Sequence, residues 1–165
     1  MMLDIVRYLP RHATERFEIR SLSDIDRIII HHEGDPNPDN PSTPWDIAHY
    51  HVDDLNRAGI CYHSVVDRTG IRFKTNNDST SPLHAGDQQN PTAIGICGLG
   101  NFDLEPPTRE QVFGMVLEAI RYLDAYRDLE ILGHSEVGNT SCPGKYLDLS
   151  DFRAALRLTR RRNGA

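Results

Sequence analysis

Ile28, Ile29 and Ile30 run together between Asp26-Arg27 and the pair His31-His32. Three β-branched residues with polar flanks are too few for a helix and far too few to span a bilayer, so the stretch predicts a buried β-strand from Asp26 to His32. The strand ends on two imidazoles. The segment after it, Gly34 to Ser42, holds three prolines among Asp and Asn residues, which is loop chemistry. Loops after strand ends are where sites are commonly built.

The same reasoning extends along the chain. Thr43, with Pro44 next and Asp46 at the capping-box distance, predicts a helix start; Gly59 offers its stop, and Trp45, Ala48, Val52 and Leu55 share a face. Cys61 to Val66 and Ile71 to Lys74 alternate apolar with polar residues around Asp67-Arg68-Thr69-Gly70, predicting a hairpin. Ala93 to Leu99 and Ile131-Leu132 read as further strands. Between them Thr108 and Gln111 form a capping box for a helix whose face carries Val112, Met115, Val116, Ala119, Ile120 and Leu123. A last helix, about Ser150 to Arg161, buries Phe152, Ala155 and Leu156. Strands alternating with helices predict an α/β fold with a central mixed β-sheet flanked by helices; the strand order does not follow from the sequence. Residues 1–20 read as an extension packed on one domain formed by residues 21–165.

A chain of 165 residues, 38% apolar and 25% charged, suits one soluble domain with a single core. The formal net charge of −6 argues against nucleic-acid binding, and no apolar run is long enough for membrane insertion. Arg157, Arg160, Arg161 and Arg162 form a basic tail, read as a solvated helix end. The N-terminus lacks the pattern of a signal peptide, so synthesis in the cytoplasm is expected. Cys61, Cys97 and Cys142 are odd in number and widely spaced, a poor disulfide framework; Cys61 and Cys97 read as small buried apolar residues.

Cys142 asks for another explanation. His31 at one strand end, His134 at another and Cys142 in Thr140-Ser141-Cys142-Pro143-Gly144 are a possible metal site, because two imidazoles and a thiolate suit zinc. Three protein ligands would leave one tetrahedral position open, the arrangement of a catalytic zinc. His134 and Cys142 are eight residues apart, enough for a loop to fold back beside its strand end. That spacing alone is a weak signal, since eight histidines make chance pairings easy.

The motifs taken together resemble the type-2 N-acetylmuramoyl-L-alanine amidases, a family that includes phage amidase endolysins and animal peptidoglycan recognition proteins. The resemblance runs from about Ser21 to Leu156. It rests on Ile28 to His32, Gly59-Ile60-Cys61-Tyr62-His63, Asp67 to Gly70, His84-Ala85-Gly86, Ile94-Gly95-Ile96, Gly100-Asn101-Phe102, Gly133-His134 and Thr140 to Gly144. It implies a mixed sheet with zinc in a surface groove, His31, His134 and Cys142 as zinc ligands, and Tyr62 and Thr140 beside the water that zinc would activate. Phage members often carry lysine where this chain has Thr140, whereas the recognition proteins commonly carry threonine. Glu33 departs from the threonine found there in relatives, and His84, Asn101 and Glu33 are candidates for the substrate groove. His32 and His63 read as packing or outer-shell residues.

The implied activity is zinc-dependent hydrolysis of the amide between N-acetylmuramic acid and L-alanine in bacterial peptidoglycan. A monomer is expected, acting on the wall after release from phage-infected bacteria. The alternatives are a non-catalytic peptidoglycan-binding module and an amidase with an added regulatory protein-binding role. Binding-only members typically lose the ligand cysteine, which this chain keeps.

Overall fold

The computed structural model describes residues 1–35, 42–126 and 128–162. Its strands are β1 (Met2–Asp4), β2 (Glu18–Ile19), β3 (Arg27–His32), β4 (Ser64–Val66), β5 (Arg72–Lys74), β6 (Thr80–Ser81), β7 (Ala93–Gly98) and β8 (Glu130–Gly133); its helices are α1 (Pro44–His49), α2 (Arg109–Tyr126) and α3 (Leu149–Arg162). Six strands form one mixed sheet in the order β1-β5-β4-β7-β3-β8, and β2 pairs with β6 apart from it. β4 and β5 are the expected antiparallel hairpin, while β4, β7, β3 and β8 run parallel. The mixed sheet with flanking helices is therefore as the sequence predicts.

Ile28, Ile29 and Ile30 are completely buried, each side chain contributing about 1.5–3 kcal/mol relative to exposure. Ile28 and Ile30 pack with Ile94 and Ile96 against α2 and α3. Ile29 points the other way, onto Ala85 and Ala93, as the two-residue period of a strand requires. His31 shares the face of Ile29 and sits in register with Cys97. On that side of the sheet Ile47 and Ala48 of α1 close over Val65, Cys97 and Leu99. Cys61 and Cys97 are buried, as expected of small apolar residues.

Residues 1–20 do more than cover the domain: β1 extends the sheet beside β5, and Ile5 and Leu9 enter the core under α1. The buried Arg20 guanidinium donates to the carbonyls of Asp78, Asn90, Pro91 and Ala93 and lies 2.8 Å from His63 Nε2.

Local expectations met three corrections. Thr43 and Asp46 form the full capping box, but α1 continues into a π-helical turn, Tyr50–Asp54, and stops at Leu55 rather than Gly59. Asn56 takes the left-handed conformation there, φ +52°, which asparagine tolerates. Trp45 and Leu55 are partly exposed and Ile47 is buried in their place; the Trp45 indole donates to the Tyr8 carbonyl at 3.2 Å. Thr108 does cap the Gln111 N–H, yet the Gln111 amide turns inward to the carbonyls of Val66 and Leu99. Bonds to two carbonyls inside the protein outweigh one N-terminal donor in water. The basic tail is a helical end: Arg157 and Arg161 are exposed and Arg160 lies 3.8 Å from Asp124, while the Arg162 side chain falls outside the described residues, as do positions 36–41 of the expected loop.

Glu118 on α2 is fully buried and accepts from Ser64 Oγ at 2.7 Å and from Arg121 at 2.7 and 3.0 Å, with Arg72 at 3.4 Å. Glu118→Ala strands these donors and is expected to lower the unfolding free energy by about 3–5 kcal/mol, read as a lower urea midpoint at unchanged slope; a midpoint within error of wild type would refute the network's importance.

Candidate metal centre

Parallel strands end side by side, so β3 and β8 deliver His31 and His134 to the same edge of the sheet. Pockets beyond the carboxyl ends of parallel strands are the usual place for sites in α/β folds. The chain leaves Gly133 through a short 3-10 turn, His134–Glu136, and folds back so that the Cys142 carbonyl accepts from the Ser135 N–H at 2.6 Å. Thr140 Oγ1 accepts from the Cys142 N–H at 3.1 Å, tightening this return. Gly144, at φ +94°, lets the loop run against the backbone of Phe102 and Asp103, where a Cβ would collide.

The result brings one ligand atom from each of His31, His134 and Cys142 within 4.8 Å of the others. His31 Nδ1 lies 3.5 Å from Cys142 Sγ, and the two imidazole rings are 4.7 Å apart. Burial holds His31 well below the ordinary histidine range, and burial also lowers His134, so both offer neutral nitrogen lone pairs. Burial pushes the Cys142 thiol up to about 12; only a cation held beside it favours the thiolate at neutral pH. Two neutral nitrogens and a sulfur form a donor set that could hold a metal ion, and the set fits zinc.

Tyr62 sits against this group, its ring 5.3 Å from that of His31. Burial, reinforced by the nearby thiols of Cys97 and Cys142, pushes its hydroxyl well above the usual range, so it stays protonated and able to donate. It lines a cavity of about 540 Å³ with Glu33, Asp46, Ile47, Tyr50 and His51. Another cavity, about 510 Å³ between residues 15–18 and the 81–91 segment, contains no candidate site residue.

The other expected residues are scattered around the centre. Thr140 is exposed. Glu33 Oε2 accepts from the Gly100 N–H at 2.9 Å, and burial raises its carboxyl. Asn101 donates to the Gly34 carbonyl and accepts from the Asp103 N–H, so Glu33 and Asn101 brace the loops after β3 and β7 against each other. His32 Nδ1 accepts from the Phe102 N–H and His63 Nδ1 from the Gly95 N–H, packing positions rather than ligand positions. His84 is buried behind His31, with His84 Nδ1 3.0 Å from His31 Nε2; burial lowers it to about 3. Sequence reasoning passed over Arg20 and Asn90, which hold this segment; neither stands in a motif that signals chemistry.

Residues 21–145 match the N-acetylmuramoyl-L-alanine amidase family. Among curated proteins the chain is 30% identical over 101 residues to peptidoglycan-recognition protein SC2 of Drosophila simulans, covering 59% of this chain and 54% of that protein. It is 29% identical over 104 residues to peptidoglycan recognition protein 1 of Bos indicus, covering 61% and 55%. The chain thus spans about half the length of the curated relatives it matches. Among solved structures it resembles the N-acetylmuramoyl-L-alanine amidase LysC from Clostridium intestinale URNW, at TM-score 0.78 and 23% identity over 95% of this chain and 97% of that one. The Ph2119 endolysin from the Thermus scotoductus MAT2119 bacteriophage gives 0.78 and 22% over 92% and 96%, and Drosophila PGRP-LB gives 0.70 and 24% over 89% of each. These structures share the fold. With its matched residues covering most of its length, the chain belongs to the N-acetylmuramoyl-L-alanine amidase family.

Proposed function

We propose that this protein hydrolyses the amide between N-acetylmuramic acid and the L-alanine of the peptidoglycan stem, with a zinc ion held by His31, His134 and Cys142. The observation that carries the reading is the convergence of those three ligand atoms within 4.8 Å, next to a cavity on whose wall Tyr62 stands. Zinc held there would polarise the amide carbonyl and make water a nucleophile near neutral pH. The buried Tyr62 hydroxyl acts as a donor to the oxyanion that develops on the carbonyl. Thr140, exposed and accepting from the Cys142 N–H, supplies a second hydroxyl and holds the Cys142 backbone. Glu33 braces the loop through Gly100 on the cavity wall, and Asn101 with His84 support the site rather than contact the stem.

The cavity volume of about 540 Å³ suits a short peptide stem, with the glycan outside it. No helix among the described residues is long and apolar enough to cross a membrane. An endolysin-type role, as a monomer released from phage-infected cells onto the wall, completes the proposal; light scattering that finds a stable dimer would overturn its monomer part.

Mass spectrometry of purified peptidoglycan after incubation with zinc-loaded protein tests the reaction. Free stem peptides beginning with L-alanine are expected from wild type and not from Cys142→Ala. Intact peptidoglycan from both, with the wild type still bound to it, would make this chain a binding module instead.

Chelator treatment is expected to abolish lysis, with recovery on adding zinc; lysis that persists without metal would refute the zinc assignment. Tyr62→Phe is expected to lower kcat by about 10²-fold, and Glu33→Gln to leave it near wild type. The reverse pattern in steady-state rates would exchange the roles assigned to the two residues.

A further inference from the structure

We infer that His84 is the positioning residue of the metal centre: its Nδ1 accepts the Nε2–H of His31 and thereby presents the His31 Nδ1 lone pair toward Cys142 and His134. This assignment rests on the proposed zinc site. The two nitrogens are 3.0 Å apart and the rings meet edge to face, 5.1 Å between centroids at 90°. On the opposite side of His31, Nδ1 faces Cys142 Sγ.

A neutral imidazole carries one N–H. If His31 offers Nδ1 to a metal, its proton is on Nε2, and the group facing Nε2 must be an acceptor. His84 Nδ1 fills that place, which puts the His84 proton on Nε2, buried beside the Ala93 carbonyl without a full hydrogen bond. The opposite pair of tautomers would put a proton on His31 Nδ1, on the face where the ligand atoms converge. The tautomer of the pair therefore decides whether the centre is open to a cation.

The fold holds His84 in this place from several sides. Gly95 gives the ring its seat: a Cβ there would come within 2.8 Å of His84 Cγ. Asn90 Oδ1 accepts from the backbone N–H groups of both His84 and Ala85, at 3.0 and 2.8 Å. Arg20 clamps the carbonyls of Asn90, Pro91 and Ala93, and the His63 ring abuts His84 edge to face at 5.8 Å. Metal-bound histidines commonly donate to a carboxylate or a carbonyl, and a carboxylate raises the ligand's basicity. An uncharged imidazole in that role orients His31 without adding negative charge behind it, leaving the held cation more electrophilic.

The test compares wild type, His84→Phe and His84→Asn by competition for zinc with a chromophoric chelator, alongside the visible spectrum of the cobalt-loaded proteins and the thermal unfolding of the metal-free ones. Asparagine Oδ1 can replace the accepting nitrogen; phenylalanine keeps the ring and cannot accept. His84→Phe is expected to bind zinc about 10–100-fold more weakly with an altered cobalt spectrum, while His84→Asn stays close to wild type in both. His84→Phe with wild-type zinc affinity overturns the assignment. So does a folded His84→Asn that loses about tenfold or more, and this outcome decides the matter alone if the phenylalanine variant does not fold. Wild-type protein that takes up no zinc overturns the metal reading and this inference together, whereas tight zinc binding without peptidoglycan cleavage overturns only the proposed reaction.

Discussion

β3 hydrogen-bonds to parallel neighbours on both sides, β7 and β8, and the candidate centre is carried on the ends of these strands. Parallel pairing makes the carboxyl ends coincide, so the loops leaving them share one edge of the sheet. The isoleucines that bury β3 on both faces leave little freedom in its register, because a shift by one residue would send His31 to the face of Ile28 and Ile30. Burial of an apolar strand therefore sets where an imidazole points.

The site is buried without being charged. His31, His63 and His84 are all held as neutral rings by desolvation, and the buried cation near them, Arg20, spends its hydrogen bonds chiefly on backbone carbonyls. Neutral imidazoles can accept and donate in the interior without the large desolvation penalty of an ion. On the other side of the sheet the opposite solution appears: Glu118 is a buried carboxylate matched by Arg121, Arg72 and a serine hydroxyl. One face is suited to receiving a cation and the other already has its charges paired.

Much of the architecture was legible because it is written in local chemistry. The Ile28–Ile30 run, the Asp67–Gly70 turn, the Thr43-Pro44-Asp46 start and the apolar stripe of α2 each depend on near neighbours in the chain, and each element is found. Errors arose where a distant partner competed for a side chain. Gln111 turns from its cap to Val66 and Leu99, and the helical run that α1 begins stops at Leu55, short of Gly59, whose lack of a Cβ leaves room for the Arg11 side chain. Nothing in the short apolar pattern of the N-terminal residues reveals that β5 has an open edge for them.

The sequence by itself determined the donor types, two histidines at strand ends and a cysteine in a tight loop, and the alternation that builds a mixed sheet. Periodicity and turn chemistry act over a few residues and need no partner. Tertiary structure alone decided that His31, His134 and Cys142 meet within 4.8 Å, that Tyr62 stands beside them, and that His84 backs His31 instead of facing a groove. The contacts of His31 with Tyr62, His84 and Cys142 join residues 31 to 111 positions apart, and separations of that size are closed by strand order and core packing, which no local pattern encodes.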